Sequence, residues 1–279
     1  MSTTNPPTSS ATRAEQSSVK IISHSSLFYW WPVWAVSFLL AFLTYLDGHY
    51  MAIVPAGTVA EKARQVQGVD EPRDVLILPA NRALPVDETG SEPEQPRLRV
   101  ARSNSLGSIF VTVFLLVLLI TNIRFTSVWS LIAIMVVLLL SVIFAVTGLW
   151  DRVFRLVSSS DVHITAAGYL FLAASLFLVW VVVLLFYDRL TYATFGRGQF
   201  TIHHAFGAGA TSYEVQGLTL EKKRDNLFRH WLLGMGSGDL VIRTGGVNSR
   251  TFEMPNVLFV GSKVATAQRL LQERQVVNA

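Results

Sequence analysis

The chain has 279 residues, 51% of them hydrophobic and only 15% charged, against roughly a quarter charged in ordinary soluble proteins. The formal net charge of +4 is small and no Lys/Arg-rich block occurs, so nucleic-acid binding gains no support. There is no cysteine, which excludes disulfides, iron–sulfur clusters and thiolate zinc sites.

Residues 1–26 are rich in Ser, Thr and Pro and carry few apolar groups, so a disordered tail is expected. Four long apolar runs follow, at residues 27–46, 106–123, 128–150 and 166–187. A bilayer core about 30 Å thick takes ~20 apolar residues in a helix, because each backbone polar group must be paired within the segment. All four runs qualify, and they are apolar on every side, unlike the amphipathic helices of a soluble core. The first exceeds the ~7–15 apolar residues of a signal peptide and is expected to be an uncleaved anchor. Tyr29, Trp30, Trp31, Trp34, Tyr45, Trp129, Trp150, Tyr169 and Tyr187 stand near the ends of these runs, where aromatic residues meet headgroups.

Between the first two runs, residues 47–105 are polar and carry Pro55, Pro72, Pro79, Pro85, Pro93 and Pro96. They contain one strand-like run, Val75 to Leu78, and an acidic patch of Asp87, Glu88, Glu92 and Glu94. A partly ordered excursion lying against the membrane domain is expected. Only residues 124–127 join the second run to the third, which predicts an antiparallel helical hairpin. Residues 151–165 read as a loop, with Val153, Phe154, Leu156 and Val157 at the interface and Asp161 as a helix cap.

From Asp188 the texture changes to short alternating segments separated by glycine. Leu190/Tyr192/Thr194, Phe200/Ile202, Leu218/Leu220, Leu240/Ile242 and Phe252/Met254 each share a strand face, with turns at Gly196/Gly198 and Gly207/Gly209. Residues 226–233 read as a helical turn. Val260, Val264, Ala267 and Leu271 then make one stripe of a helix. Period-2 runs closed by an amphipathic helix predict a small antiparallel sheet or barrel, at 188–279, with that helix packed across it.

The run Leu232-Leu233-Gly234-Met235-Gly236-Ser237-Gly238-Asp239-Leu240-Val241-Ile242-Arg243-Thr244 resembles the signature of bacterial PH-like domains, and Gly245-Gly246 matches the family's second glycine turn. Tyr187-Asp188-Arg189-Leu190-Thr191 and the closing helix follow the same order, so the resemblance spans about Tyr187 to Gln272. It differs from many members in having four spans ahead of the domain rather than two. The resemblance implies a PH-like β-barrel facing the cytoplasm of a bacterial inner membrane, with both termini inside and the loop 47–105 outside. Charge counting leans the other way: Arg13, Lys20, Arg124, Arg189 and Arg197 would be inside, against Lys62, Arg64, Arg97, Arg99, Arg102, Arg152 and Arg155 for the reverse orientation.

Catalytic signatures are lacking. Gly234, Gly236 and Gly238 follow a helical turn and precede a strand, the reverse of a phosphate-cradling loop, and read as a tight backbone turn. His203 and His204 point to opposite faces of one strand, and His24, His49, His163 and His230 are scattered, so no metal site or cofactor is expected. Asp47 and His49 are the only adjacent acid–base pair, too small a cluster for a lipid-acting enzyme. Lys222, Lys223, Arg224 and Arg229 form the densest basic group of the C-terminal region. They read either as headgroup or partner contacts or as a solvated strand end. Trp231, Leu232 and Leu233 beside them read as core. Asp47, Arg124, Asp151 and Asp188 all lie at span boundaries, and Ser37, Thr44, Thr112 and Thr121 can bond back to their own helix. The reading is a non-enzymatic membrane-anchored scaffold that binds the bilayer and a protein partner or another copy of itself. A channel or transporter subunit regulated by the PH-like domain is the alternative.

Overall fold

A computed structural model describes residues 18–277, except 88, 89, 91, 124–126, 197, 198, 204–208, 215, 216, 225, 247 and 248. Four helical stretches are long and apolar enough to cross a membrane: Ser26–Asp47, Ser105–Asn122, Val128–Thr147 and Ala166–Leu190. In the first, a 3-10 turn (Ser26–Trp30) leads into α1 (Trp31–Asp47), which ends where Gly48 turns left-handed at φ +68°. α2 is Ser105–Asn122 and α3 is Ser127–Thr147. The last span is α5 (Ala166–Val182), continued by a π-helical turn (Val183–Tyr187) and a 3-10 turn (Asp188–Leu190).

α1 and α5 make the closest seam, and α2 lies against α1. Val33, Leu40, Ala41, Phe110, Val117 and Tyr169 form the buried cluster between them. Trp34, Phe38, Phe177 and Trp180 stack edge and face along the seam with ring centroids 5.0–6.4 Å apart. Small residues let backbones approach, as Ser37, Ala41 and Thr44 do on α1 and Ala173 on α5.

Several expectations are corrected in this region. α2 and α3 make no extensive seam among the described residues, and the link between them lies outside those residues, while the chain after α3 returns to the start of α2, where Ser108 donates to the Val157 carbonyl at 2.8 Å. Residues 149–158 form a helix, α4 (Leu149–Ser158), rather than a loop; Gly148 at φ +68° breaks it from α3. Leu149, Trp150, Val153, Phe154, Leu156 and Val157 fall on one side of α4, with Asp151, Arg152, Arg155 and Ser158 on the other. Asp161 does not cap α5. It accepts from the Asn104 side chain, while the Thr165 hydroxyl caps α5 by accepting from Gly168 N–H at 3.0 Å. Tyr29 and Tyr169, expected at headgroup depth, are fully buried.

The excursion after α1 begins and ends in a two-stranded neck, β2 (His49–Met51) with β5 (Leu98–Val100), resting on α1 and α5. Beyond it β3 (Val59–Arg64) and β4 (Arg73–Ile77) pair as a hairpin that covers the predicted strand-like run. Glu88 of the acidic patch lies outside the described residues.

At the opposite end of the spans is a sheet-rich region, here called the head. β1 (Val19–Ile22), β6 (Tyr192–Phe195), β7 (Gln199–His203) and β8 (Ala210–Glu214) form an antiparallel sheet in the order β1-β6-β7-β8. β9 (Thr219–Lys223), β10 (Gly238–Arg243) and β11 (Thr251–Val257) form a second, with β10 central. The expected disordered tail is thereby corrected for its last part, while residues 1–17 lie outside the described residues. Ile21 of β1 is fully buried in the head's core, and its burial, with the pairing of β1 to β6, works against the entropy lost in ordering the strand. On β6 the inward face carries Ala193 and Phe195 rather than Tyr192 and Thr194. The C-terminal helix α6 (Val260–Val277) places Val260, Val264 and Ala267 in the same core as Phe195, Phe200, Leu240 and Ile242. The two sheets are open: no strand pairing joins them among the described residues, so no closed barrel forms.

Candidate functional site

The densest polar chemistry lies where the head meets the spans. Tyr29, one turn before α1, is driven into the head by its neighbours: Phe28, Ile120 and Leu233 bury around it, with Trp180, Leu184, Phe228 and Leu258 beside them. Its hydroxyl donates to Asn256 Oδ1 at 2.9 Å and meets Ser237 Oγ at 3.0 Å and His230 Nδ1 at 3.3 Å. Asn256, on β11 at φ +57°, ties the cluster together. Its backbone N–H donates to Asp239 Oδ1 at 2.8 Å, its side-chain amide to the His24 carbonyl at 2.8 Å, and its Oδ1 also accepts from Arg229 Nη2. Asp239 Oδ2 sits 3.5 Å from His230 Nε2, and the Arg229 guanidinium lies 5.4 Å from the Tyr29 ring centre.

The segment supplying these groups is the helical turn foreseen at 226–233, here a π-helical turn over Phe228–Leu233. Asn226 anchors its start, donating to the Ile123 carbonyl just past α2 at 3.1 Å and accepting from Arg229 N–H at 3.0 Å. The Trp31 indole N–H donates to the Leu233 carbonyl at 2.9 Å. The glycine cluster then turns the chain into β10. A Cβ on Gly234 would lie 2.2 Å from Ser237 Oγ and 2.7 Å from Tyr29 Cε1, so the close approach of Tyr29 depends on glycine there. A second clasp joins the two chain entries to the head. Asp188, 2% exposed, accepts from Ser25 N–H and pairs with His24 Nδ1, both at 3.0 Å.

Burial by itself would raise the Asp239 carboxyl. Hydrogen bonds from His230 and from Asn256 N–H, with the charges of His230 and Arg229, outweigh it and hold the group below its ordinary value. Ser237, His230 and Asp239 form a serine–histidine–carboxylate chain, with Ser237 Oγ 3.1 Å from His230 Nδ1. Ser237 and His230 are buried and Tyr29 also holds the serine, so the chain is closed to a substrate carbonyl in this structure. No group of three His, Asp or Glu residues able to hold a metal occurs among the described residues.

The structure divides the basic group picked out in the sequence. Lys222 and Arg224 are exposed at the end of β9, and Arg224 donates to the Gly236 carbonyl at 3.0 Å. Lys223 is half-buried. Arg229 turns inward and belongs to the Tyr29 cluster. Leu233 is core, as expected, but Trp231 is 77% exposed and Leu232 half exposed, which corrects the reading of both as core. The π-turn faces Phe228, His230 and Leu233 inward, and residues 231 and 232 are left on its outer side. His203 stacks on Tyr192, while His204 lies outside the described residues. His49 Nδ1 meets only its neighbour Asp47.

Within the spans Thr112 and Thr121 bond back to Ser108 and Val117 as expected. Ser37 and Thr44 do not: their hydroxyls, and that of Tyr169, are buried without a hydrogen-bond partner among the described residues. An open groove of about 700 Å³ at the other end of the bundle is lined by Leu43, Leu46, Asp47, Arg102 and Leu106 among others.

Sequence reasoning missed the Tyr29 cluster because its members come from three distant segments. The one available signal was a tyrosine within a tryptophan-rich belt, which reads as interfacial. Comparison with protein-family models, characterised proteins and solved structures finds no match.

Proposed function

We propose that this chain is a multi-pass membrane protein whose PH-like head is held at a fixed stance on the membrane surface as a binding or assembly module, for a protein partner or another copy of the chain. The observation that carries this is the double attachment of the head. β1 enters α1, α5 runs out into β6, and the α1–α5 helix pair continues directly into the β1–β6 strand pair. Tyr29 and Asp188 clasp the same junction. A head secured in this way is positioned, not tethered, which suits presentation of a surface.

The PH-like reading is supported by the composition of the head: a four-stranded and a three-stranded antiparallel sheet, with the stripe of α6 in their shared core. The surface it offers is an open sheet edge. Among the described residues β8 has one unpaired side, with the sequence Ala210-Thr211-Ser212-Tyr213-Glu214, which carries neither proline nor lysine to discourage strand addition. The orientation follows the PH-like reading, with the head and both termini in the cytoplasm of a bacterial cell and loop 47–105 outside.

The test is photo-crosslinking from Ser212 in the full-length protein in its native membrane. One discrete adduct is expected, identified by mass as a partner or as a second copy. Adducts formed only from Leu138 or Val142 on α3, and none from Ser212, would move assembly to the spans and refute the reading. The channel or transporter alternative draws on one feature, the unpartnered hydroxyls of Ser37, Thr44 and Tyr169 in the α1–α5 seam. It predicts flux in liposomes that Ser37→Ala and Thr44→Val reduce.

A further inference from the structure

Among the described residues of the head after Thr191, the large apolar side chains left exposed are Leu227, Trp231, Leu232, Met235 and Phe259. All five sit on two short segments, and both segments abut the span ends. Asn226 is bonded to Ile123 at the foot of α2, Leu233 packs on Ile120 and accepts from Trp31, and Leu258 packs beside Trp180 and Leu184 of the last span. The exposed apolar groups therefore lie beside the ends of the apolar helices. Two cations flank them. Arg224 reaches across to the Gly236 carbonyl beside Met235, and Lys222 Nζ lies 3.3 Å from where a Cβ on Gly261 would stand, two residues from Phe259.

An apolar tip ringed by basic side chains at headgroup depth is the arrangement by which peripheral elements enter a leaflet. We propose that Trp231, Leu232, Met235 and Phe259 form a rim inserted into the leaflet that the spans cross, with Lys222 and Arg224 on the phosphates of anionic lipids. The occupant is lipid because the rim is continuous with the span ends and its flanking charges are positive. The proposal rests on the helices being membrane spans, and is independent of what the head binds.

The absence of native cysteine allows a direct test in the full-length protein. Single cysteines at Leu232, Met235, Val142 and Ser249 are labelled with bimane. Each variant is reconstituted in vesicles of phosphatidylcholine, with or without phosphatidylglycerol, carrying brominated acyl chains. Leu232→Cys and Met235→Cys should be quenched about two-fold, below Val142→Cys in the third span and above an unquenched Ser249→Cys. Phosphatidylglycerol should deepen quenching at Met235→Cys, and Lys222→Gln with Arg224→Gln should remove that increment. Unquenched probes at 232 and 235 beside a quenched Val142→Cys overturn the rim; a 232–232 crosslink in that case assigns the surface to a second copy. An unquenched Val142→Cys overturns the span reading, and the rim with it. Quenching indifferent to phosphatidylglycerol overturns the role of Lys222 and Arg224.

Discussion

Replacing Tyr29 by Phe keeps the ring in its pocket and deletes one oxygen, which makes it a clean probe of how the head is held. That oxygen meets three groups at 2.9–3.3 Å: Asn256 Oδ1, Ser237 Oγ and His230 Nδ1, all on residues at most 3% exposed. Leaving buried polar groups short of a partner costs about 1–3 kcal/mol. Ser237 and His230 keep each other at 3.1 Å, and Asn256 Oδ1 keeps the Arg229 guanidinium, so the lower half of that range applies. About 1–2 kcal/mol corresponds to a roughly 5- to 30-fold rise in the undocked fraction at 1.4 kcal/mol per decade. Ser25→Cys supplies the reporter, because the Ser25 hydroxyl is buried at the same junction with no hydrogen-bond partner among the described residues, and a thiol of similar size replaces it. Maleimide labelling of Ser25→Cys in vesicles should be slow, and faster by that factor when Tyr29→Phe is added. Equal rates would show that the ring, not its hydroxyl, holds the head, and would refute the polar lock.

Four further outcomes follow from the same geometry. Gly234→Ala drives a methyl against Ser237 Oγ and Tyr29 Cε1, an overpacking worth about 1–3 kcal/mol; a fall of several degrees in melting temperature is expected, and none would deny the close approach. Ile21→Ala removes a fully buried side chain of β1 at a cost of about 2–5 kcal/mol, read as faster hydrogen exchange throughout β6 and β7; exchange confined to β1 would show that the strand is dispensable. Asp239 has a folded-state pKa below its ordinary value, so its contribution is full above about pH 4 and is lost as pH falls through the depressed value. Asp239→Asn should flatten the acid limb of a stability–pH curve, and an unchanged limb would remove the carboxylate from the lock. Phe154→Glu on the apolar side of α4 should place a charge at the interface and release residues 149–158 to protease in vesicles; unchanged protection would mean that α4 does not lie on lipid.

The spans were legible because length and apolarity are local properties: a helix of ~20 apolar residues needs no partner to satisfy its backbone. The strand pattern of the head was legible for a related reason, since alternation at Phe200/Ile202 and Leu240/Ile242 reports burial directly. What escaped depends on distant partners. Val19–Ile22 looks like the end of a polar tail until β6 offers an edge. Tyr29 is chemically suited to headgroup depth, and only the meeting of residues 226–239 and 256 with it makes a buried site. Trp231 and Leu232 read as core because apolar side chains next to a glycine turn usually are. The proposed rim would give them a second apolar solvent to face. α4 was hidden by its length, since ten residues with charges on one side fall below a span and look like loop.

The way the head is joined also limits what it can do. α1 and α5 are the most closely packed of the four apolar helices, and their continuations, β1 and β6, are hydrogen-bonded in register from Val19↔Phe195 to Ile22↔Tyr192. Asp188 ties residues 24 and 25 to the end of α5 between the two pairs. A slide of α1 along α5 would have to break the strand register and the Asp188 clasp together, because side-chain alternation allows strands to shift only in steps that keep Ile21 inward. Movement of the head against the α1–α5 pair would have to break the same contacts. α3 makes no extensive seam with the other spans among the described residues, although Ser130 near its start is fully buried. Introducing a cysteine pair across Ile22 and Tyr192 should leave partner crosslinking from Ser212 unaltered when oxidised, whereas a function that relied on sliding of α1 against α5 would be abolished.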